Sequence, residues 1–263
     1  MKKQLSAIIL ILCMAVSLMP VAFATGGTLT GTGTADEPYQ IFDIDDLKAF
    51  RDKVNGGESS ACGKLMTDIV LNPGTFDEEG VYTPASDESA EQWISIGSGD
   101  VSYGGTFDGD NHTISGLYID STDGYQGFFG STNSSAVIKN VGIIGSFISG
   151  DNYIGGIAAT TNESSVINCY YSGIVRGNET VGGIAGYNSG SINSCHNDGT
   201  VSGSQYIGGI VGYSMGSLGD SDTEDYKLSY ISNCYHKGTV SGDNSVGGAI
   251  GLNSLYSIVE NTY

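Results

Sequence analysis

Hydrophobic positions in the second half of the chain fall in short runs separated by Gly, Asn and Ser, and the runs repeat. Val181 to Gly203 reads VGGIAGYNSGSINSCHNDGTVSG. Ile154 to Gly177 (IGGIAATTNESSVINCYYSGIVRG) says the same upstream. Downstream, Ile207 to Ser217, Tyr230 to Gly242 and the stretch from Val246 say it again. The paired glycines begin at Gly155, Gly182, Gly208 and Gly247, in steps of 27, 26 and 39 residues. Cys169, Cys195 and Cys234 recur in the same register, and the long step is one ordinary step plus an insertion. A fixed step with like-for-like substitution is the signature of a stacked array.

Within one unit, VGGIAGY, SINSCHN and GTVSG are each too short for a helix, rich in β-branched residues and bounded by turn residues. Three strands and three turns per unit predict one coil of a parallel β-helix, each strand pairing with its counterpart about 4.8 Å along the axis. Alternation then points Ile184, Ile192 and Val201 inward. Their counterparts are Ile157, Ile210 and Ala249; Val166, Ile231 and Ile258; and Val175 and Val240. The paired glycines have two candidate causes, a left-handed backbone at a corner or a close approach of neighbouring coils.

Ahead of the repeats the pattern changes. Met1 to Ala24 has the lysines, apolar run and small-residue end of a secretory signal, with cleavage expected after Ala24. A helix is predicted from Asp43 to about Asn55, with Asp43 as N-cap, a Leu47, Phe50 and Val54 stripe, and Gly56 and Gly57 as stop. Placed ahead of a solenoid, it would cover the open end of the first coil. Lys64 to Asn72 and Trp93 to Ser98 read as strands, Pro73 to Gln92 as a polar loop, and Gly105 to Ile119 as strand-turn-strand.

The block G-G-I-x-G-Y-x-x-G-S-I-x-N-C-Y-x-x-G-T-V-S-G, running over Gly124 to Tyr263, resembles the GLUG-type repeats of bacterial secreted and surface proteins. The first copy, Tyr125 to Gly150, is degenerate, with Val141 in the cysteine slot and Phe128 in place of the second Gly. Similar repeats occur as accessory regions of bacterial immunoglobulin A metalloproteases. The resemblance implies a secreted or cell-surface, adhesin-like protein.

Composition narrows the partners. The chain has 41 Gly, 4 Pro, 15% charged residues and a formal net charge of −19. With few Lys and Arg and no basic patch, nucleic acid and anionic membranes are poor partners. The Cys169, Cys195 and Cys234 row is favoured as stacked core thiols over one disulfide or a metal site, because each coil offers one thiol and no inward His. Thr262 takes that slot at the end, and Cys62 is a lone core thiol. Outward aromatics form three columns: Tyr170, His196, Tyr235 and Tyr263; Tyr125, Tyr153 and Tyr206, with Thr180 and Ser245 between; and Tyr187 and Tyr213. Such columns either bind sugar or peptide or stabilise the sheet, the reading favoured. The inserted Asp220, Asp222, Glu224 and Asp225 have a calcium-like spacing but lack the central Gly and closing Glu, so a solvated acidic loop is favoured. Three histidines, no HExxH and scattered acids give no catalytic constellation.

The sequence thus predicts an all-β, right-handed parallel β-helix with one N-terminal capping helix. Its parts are a signal (1–24), a lead-in and cap (25–60), irregular first coils (61–123) and repeats (124–263) that continue or are covered by another chain beyond Tyr263. The expected role is a non-catalytic scaffold or carbohydrate- or protein-binding surface, without cofactor and without a transmembrane segment. A carbohydrate-active β-helix enzyme, or an accessory region of a larger protease, is the alternative.

Overall fold

The computed structural model describes residues 29–85, 89–218 and 226–263. The predicted signal and the acidic insertion residues Asp220, Asp222, Glu224 and Asp225 lie outside them.

The chain winds as a parallel β-solenoid of about eight coils. The first sheet stacks eight strands: Tyr39–Ile41, Gly63–Leu65, Thr106–Asp108, Val137–Lys139, Ser165–Ile167, Ser191–Asn193, Ser229–Ser232 and Ser257–Glu260. The second sheet carries two rows. One runs from Ile69–Val70 to Tyr235–His236, the other from Tyr118–Asp120 to Thr239–Ser241, and Gly142–Ser149 and Tyr170–Arg176 span both. A third sheet begins at Asn152–Gly155 and a fourth at Phe129–Thr132. Neighbouring coils pair parallel and residue for residue, as in Ser165↔Ser191, Val166↔Ile192 and Ile167↔Asn193.

The predicted inward residues are buried: Ile184, Ile192, Val201, Ile157, Ile210, Val166, Ile231 and Val175 all have no exposed area. One assignment moves. Ile231 pairs with Val259, whereas Ile258 sits beside the outward Tyr230. Two adjacent branched apolar residues there left the choice open, and Ile258 is the wrong one.

Three runs per coil become five strand segments. VGGIAGY divides between Glu179–Gly182 and Ala185–Asn188, and SINSCHN between Ser191–Asn193 and His196–Asn197. The divisions fall at left-handed or glycine corners too brief to show as loops. Likewise Lys64 to Asn72 breaks into Gly63–Leu65 and Ile69–Val70 in different sheets, and Trp93 to Ser98 makes one isolated bridge, Ile96↔Phe129. The expected polar loop after Pro73 contains an antiparallel hairpin, Gly74–Phe76 with Tyr82–Pro84. Its Phe76 stacks at 5.1 Å on Tyr118, because aromatic area on the second sheet is otherwise left in water.

The helix runs Ile44–Asn55, with the Asp43 carboxylate accepting from the Asp46 N–H. Leu47, Phe50 and Val54 are fully buried, and Phe50 meets Phe107 and Tyr103 of the first coils at 5.7 and 6.3 Å.

Close approach, both within a coil and to the next coil, and not a left-handed backbone, explains seven of the eight paired glycines, Gly248 excepted; none of the eight has positive φ. A Cβ on Gly182 would lie 2.0 Å from the Ala185 carbonyl oxygen. The second glycine faces an inward side chain of the second sheet. A Cβ on Gly156 would strike the Tyr171 ring at 2.5 Å, one on Gly183 the Asn197 amide at 2.0 Å, and one on Gly209 the His236 ring at 2.2 Å. The degenerate first copy keeps the rule in reverse: the smaller Ile143 stands in the Tyr171 row and Phe128 takes the glycine slot, both fully buried.

Gly183→Ala should therefore lower stability by about 2 kcal/mol or more, since backbone as well as side chain must give way. Gly248→Ala, where a Cβ meets nothing within 4 Å, should leave the denaturation midpoint unchanged. Equal midpoints for both variants would refute the close-approach account.

Candidate functional site

Two aromatic surfaces emerge from the rungs. On the second sheet, Tyr170 and His196 stack at 5.0 Å and 5°, His196 and Tyr235 at 4.8 Å and 6°, and Tyr235 and Tyr263 at 6.1 Å and 21°. The column is in register because the strands are: Tyr170↔His196 and His196↔Tyr235 are backbone pairs. Gly142 makes room at its foot, since a Cβ there would lie 2.2 Å from the Tyr170 ring. Stacked this way, the inner rings spend their faces on each other and offer edges to solvent. Burial, and then Asp198, push the Tyr235 hydroxyl above its ordinary pKa.

Beside this column runs a groove of about 330 Å³ between the Gly74–Pro84 hairpin and the sheet. Thr75, Phe76, Ser172, Ile174, Asp198 and Thr200 line it. The Arg176 guanidinium, 5.9 Å from the Phe147 ring, donates to the Glu78 carbonyl and ties the hairpin down.

The other two predicted columns merge. Tyr125 stacks on Tyr153 at 4.9 Å, Tyr153 meets Tyr187 edge-on at 6.3 Å, Tyr187 meets Tyr213 at 5.6 Å, and Tyr213 meets Tyr206 at 5.7 Å. Tyr187 thus spans the gap above Thr180, which is itself buried. Tyr125, Tyr153, Thr180, Tyr206 and Ser245 all have left-handed backbone, φ 52 to 62°. That conformation is uncommon for bulky residues and gave no signal in the pattern.

The thiols of Cys169, Cys195 and Cys234 are free, buried and stacked along the core. Each donates to the carbonyl two residues back, at 3.3, 3.3 and 3.2 Å. Each also donates to a carbonyl of the preceding coil: Ile138, Val166 and Ile192, at 3.7, 3.6 and 3.8 Å. Burial pushes the Cys195 thiol well up, the opposite of a nucleophile or metal ligand. Among the described residues no group of three or more His, Cys, Asp or Glu is arranged to hold a metal.

One expectation fails here. A histidine does point inward: His236 follows Asn197 in the Tyr171 row. Its Nδ1 lies 3.0 Å from the Asn197 carbonyl oxygen, and its Nε2 is buried without a partner. Burial lowers its pKa. The Asn-rich turns were also missed as a feature. Asn140, Asn168, Ser194, Asn233 and Asn261 share a left-handed slot before the thiol row. Asn168 donates to Asn140 at 2.9 Å, and Asn140 to Asp108 at 3.0 Å. The recurrent Asn-Cys pair was the available signal.

The folded chain is thus a parallel β-solenoid with aromatic and asparagine ladders on its faces. It resembles the crystal structure of "a putative immunoglobulin A1 protease" from Bacteroides ovatus, with a TM-score of 0.66, 24% identity, and coverage of 89% of this chain and 76% of that one. At that identity the likeness establishes the fold. In sequence it is 30% identical over 161 residues to halomucin of Haloquadratum walsbyi; the match covers 60% of this chain and only 2% of that protein. No family model matches the chain. No helix among the described residues is long and apolar enough to cross a membrane.

Two outcomes follow. An unfolded chain takes up the His236 proton near pH 6.5, while the folded chain resists it. The stability that comes from keeping His236 neutral is therefore present above about pH 6.5 and is lost as pH falls toward the lowered value. The melting temperature should drop more steeply below about pH 6.5 for the native chain than for His236→Asn, which copies Asn197; parallel curves would exclude the role. Alkylation followed by mass spectrometry should leave Cys169, Cys195 and Cys234 unmodified in the folded protein and label all three after denaturation without reductant. A pair that stays unlabelled would mean a disulfide.

Proposed function

We propose that this chain is a secreted or cell-surface module of GLUG-like coils that presents a carbohydrate- or protein-binding surface and catalyses nothing itself. The observation that carries this reading is the division of the solenoid. Its core is closed by fully buried Val, Ile and Cys rows, while its outer faces hold tyrosine patches beside open grooves of mixed polar and apolar lining. Tyrosine supplies apolar area and a hydroxyl at little entropic cost, the combination favoured at binding surfaces. Three carboxylates among the described residues support this reading. A glycosidase needs a carboxyl held above its usual pKa near a second acid. Here Asp108, bound by Asn140 and Lys139, and Asp68, bound by Thr113 and His112, are held below it. Asp46 is raised, but it lies buried in the first turn of the helix. The sequence match, confined to a small part of a far larger protein, fits a module that serves within longer chains.

Incubation with a polysaccharide and glycoprotein panel should give retention on the immobilised ligand with no release of reducing ends or new unsaturated product. Steady release of either, abolished by substituting one outward Asp, would establish an enzyme instead.

A further inference from the structure

The third sheet lacks a rung. Its first full strand is Asn152–Gly155, and the coil before it contributes one isolated bridge, Gln126↔Ile154. The fourth sheet is covered one coil further, because Ile96 bridges Phe129 and Tyr103 bridges Thr132. Where the third sheet stops and the 92–103 segment turns aside, a cleft of about 600 Å³ opens. That is within the range of roughly 300–1,000 Å³ typical of small-ligand sites.

We infer that this cleft binds a neutral oligosaccharide, with the Tyr125 ring as its stacking platform. Tyr125 begins the merged tyrosine patch. One face lies on Tyr153, no other ring among the described residues stacks against it, and the side chain is 51% exposed while lining the cleft. It is thus the ring of the patch that can offer a face to the cleft; Trp93, though adjacent, is 5% exposed and stacked on Phe128. The exposed Ile94 adds apolar floor, and Ser98, Ser121, Asp123 and Gln126 supply donors and acceptors along the rim. A ring face with polar groups around it matches the alternating C–H and hydroxyl surfaces of a pyranose. Asp123 is the one charged residue among those lining the cleft, and the chain carries −19, so an anionic glycan is repelled.

The cleft is also preformed. The Asn55 side chain at the end of the helix donates to the Ser95 carbonyl at 3.0 Å and accepts from the Gly97 N–H at 2.8 Å. The Ser95 hydroxyl donates to the Gly127 carbonyl at 2.8 Å. A wall fixed before binding spares the ligand the cost of ordering it.

This inference rests on the binding-module reading and names its site and ligand class. The test is a printed array of neutral, uronate-containing and sulfated oligosaccharides, probed with the native chain, Tyr125→Ser, Asp123→Ala and Tyr235→Ser. Serine stands in the Tyr125 slot with the same left-handed backbone at Ser245, so Tyr125→Ser preserves the coil. Asp123 is exposed, which gives a second variant that spares the core. The expected result is binding of neutral glycans, weakened about tenfold or more by Tyr125→Ser and reduced by Asp123→Ala, with Tyr235→Ser unchanged. Binding lost in Tyr235→Ser and retained in both cleft variants would overturn the cleft and leave the binding module standing. A preference for sulfated or uronate glycans would overturn the ligand class. Absence of glycan binding by the native chain would overturn the inference, while retention of a protein ligand in the panel above would keep the module.

Discussion

Stacking in register is the constraint from which the other features follow. Each coil meets the next through parallel backbone pairing without slippage over most of the repeats. A side chain then sees its own counterpart above and below, so whatever suits one coil is multiplied along the axis. Thiols donate to carbonyls of the preceding coil, asparagines to asparagines, and rings stack on rings. The same constraint works across the core. Tyr171, Asn197 and His236 fit because Gly156, Gly183 and Gly209 stand opposite them. The glycine pairs are the complement of one inward row, and the row and the pairs change together in the Phe128 and Ile143 coil.

Register also decides where backbone strain is carried. Non-glycine residues at positive φ fill two corner columns, one of Asn and Ser before the thiols, the other containing Tyr125, Tyr153 and Tyr206, and Glu163 and Tyr256 add a further corner. Asparagine adopts this conformation at little cost, whereas a tyrosine there costs on the order of 1–2 kcal/mol. Ring stacking at 4.9 Å between Tyr125 and Tyr153 offsets part of that cost. Three of the four tyrosines at positive φ, Tyr125, Tyr153 and Tyr206, share one corner, so strain and aromatic surface coincide at the patch that ends in the cleft.

This division explains what could be read from the sequence. The parallel solenoid and the inward Ile184, Ile192 and Val201 were legible because burial recurs with the coil and leaves a periodic mark. The Cys169, Cys195 and Cys234 row was legible for the same reason. Ile258 was misplaced because Ile258 and Val259 satisfy the apolar pattern equally, and the pairing of Ile231 with Val259 decides between them. No inward His was expected, although alternation from the outward Tyr235 already turned His236 toward the core; its place after Asn197 in the row settles it. Left-handed tyrosines left no mark, because the rule that favours Gly and Asn at such sites makes no allowance for a ring that gains a stacking partner. The cleft left none either. It is made by a rung that is missing, and a repeat search registers only what recurs.

That last point bears on how a solenoid acquires a site. In-register rungs generate faces that are nearly flat along the axis, and flat faces cannot enclose a small ligand. Concavity has to come from departures: the Gly74–Pro84 hairpin that walls the groove on the second sheet, and the 92–103 segment that leaves the third sheet one strand short. Both departures lie in or before the degenerate first coils, where the repeat no longer dictates each residue. Both are fastened in place, the hairpin by Arg176 to Glu78 and by Phe76 on Tyr118, the 92–103 segment by Asn55 of the helix and by backbone bonds to the coil beside it. Because each coil in such an array leans chiefly on its neighbours, a loop added at one level need not disturb the levels above it. The regular coils can therefore be held to one pattern by packing while the irregular ones vary in shape, and any specificity of this protein for a ligand has to be sought in the irregular ones.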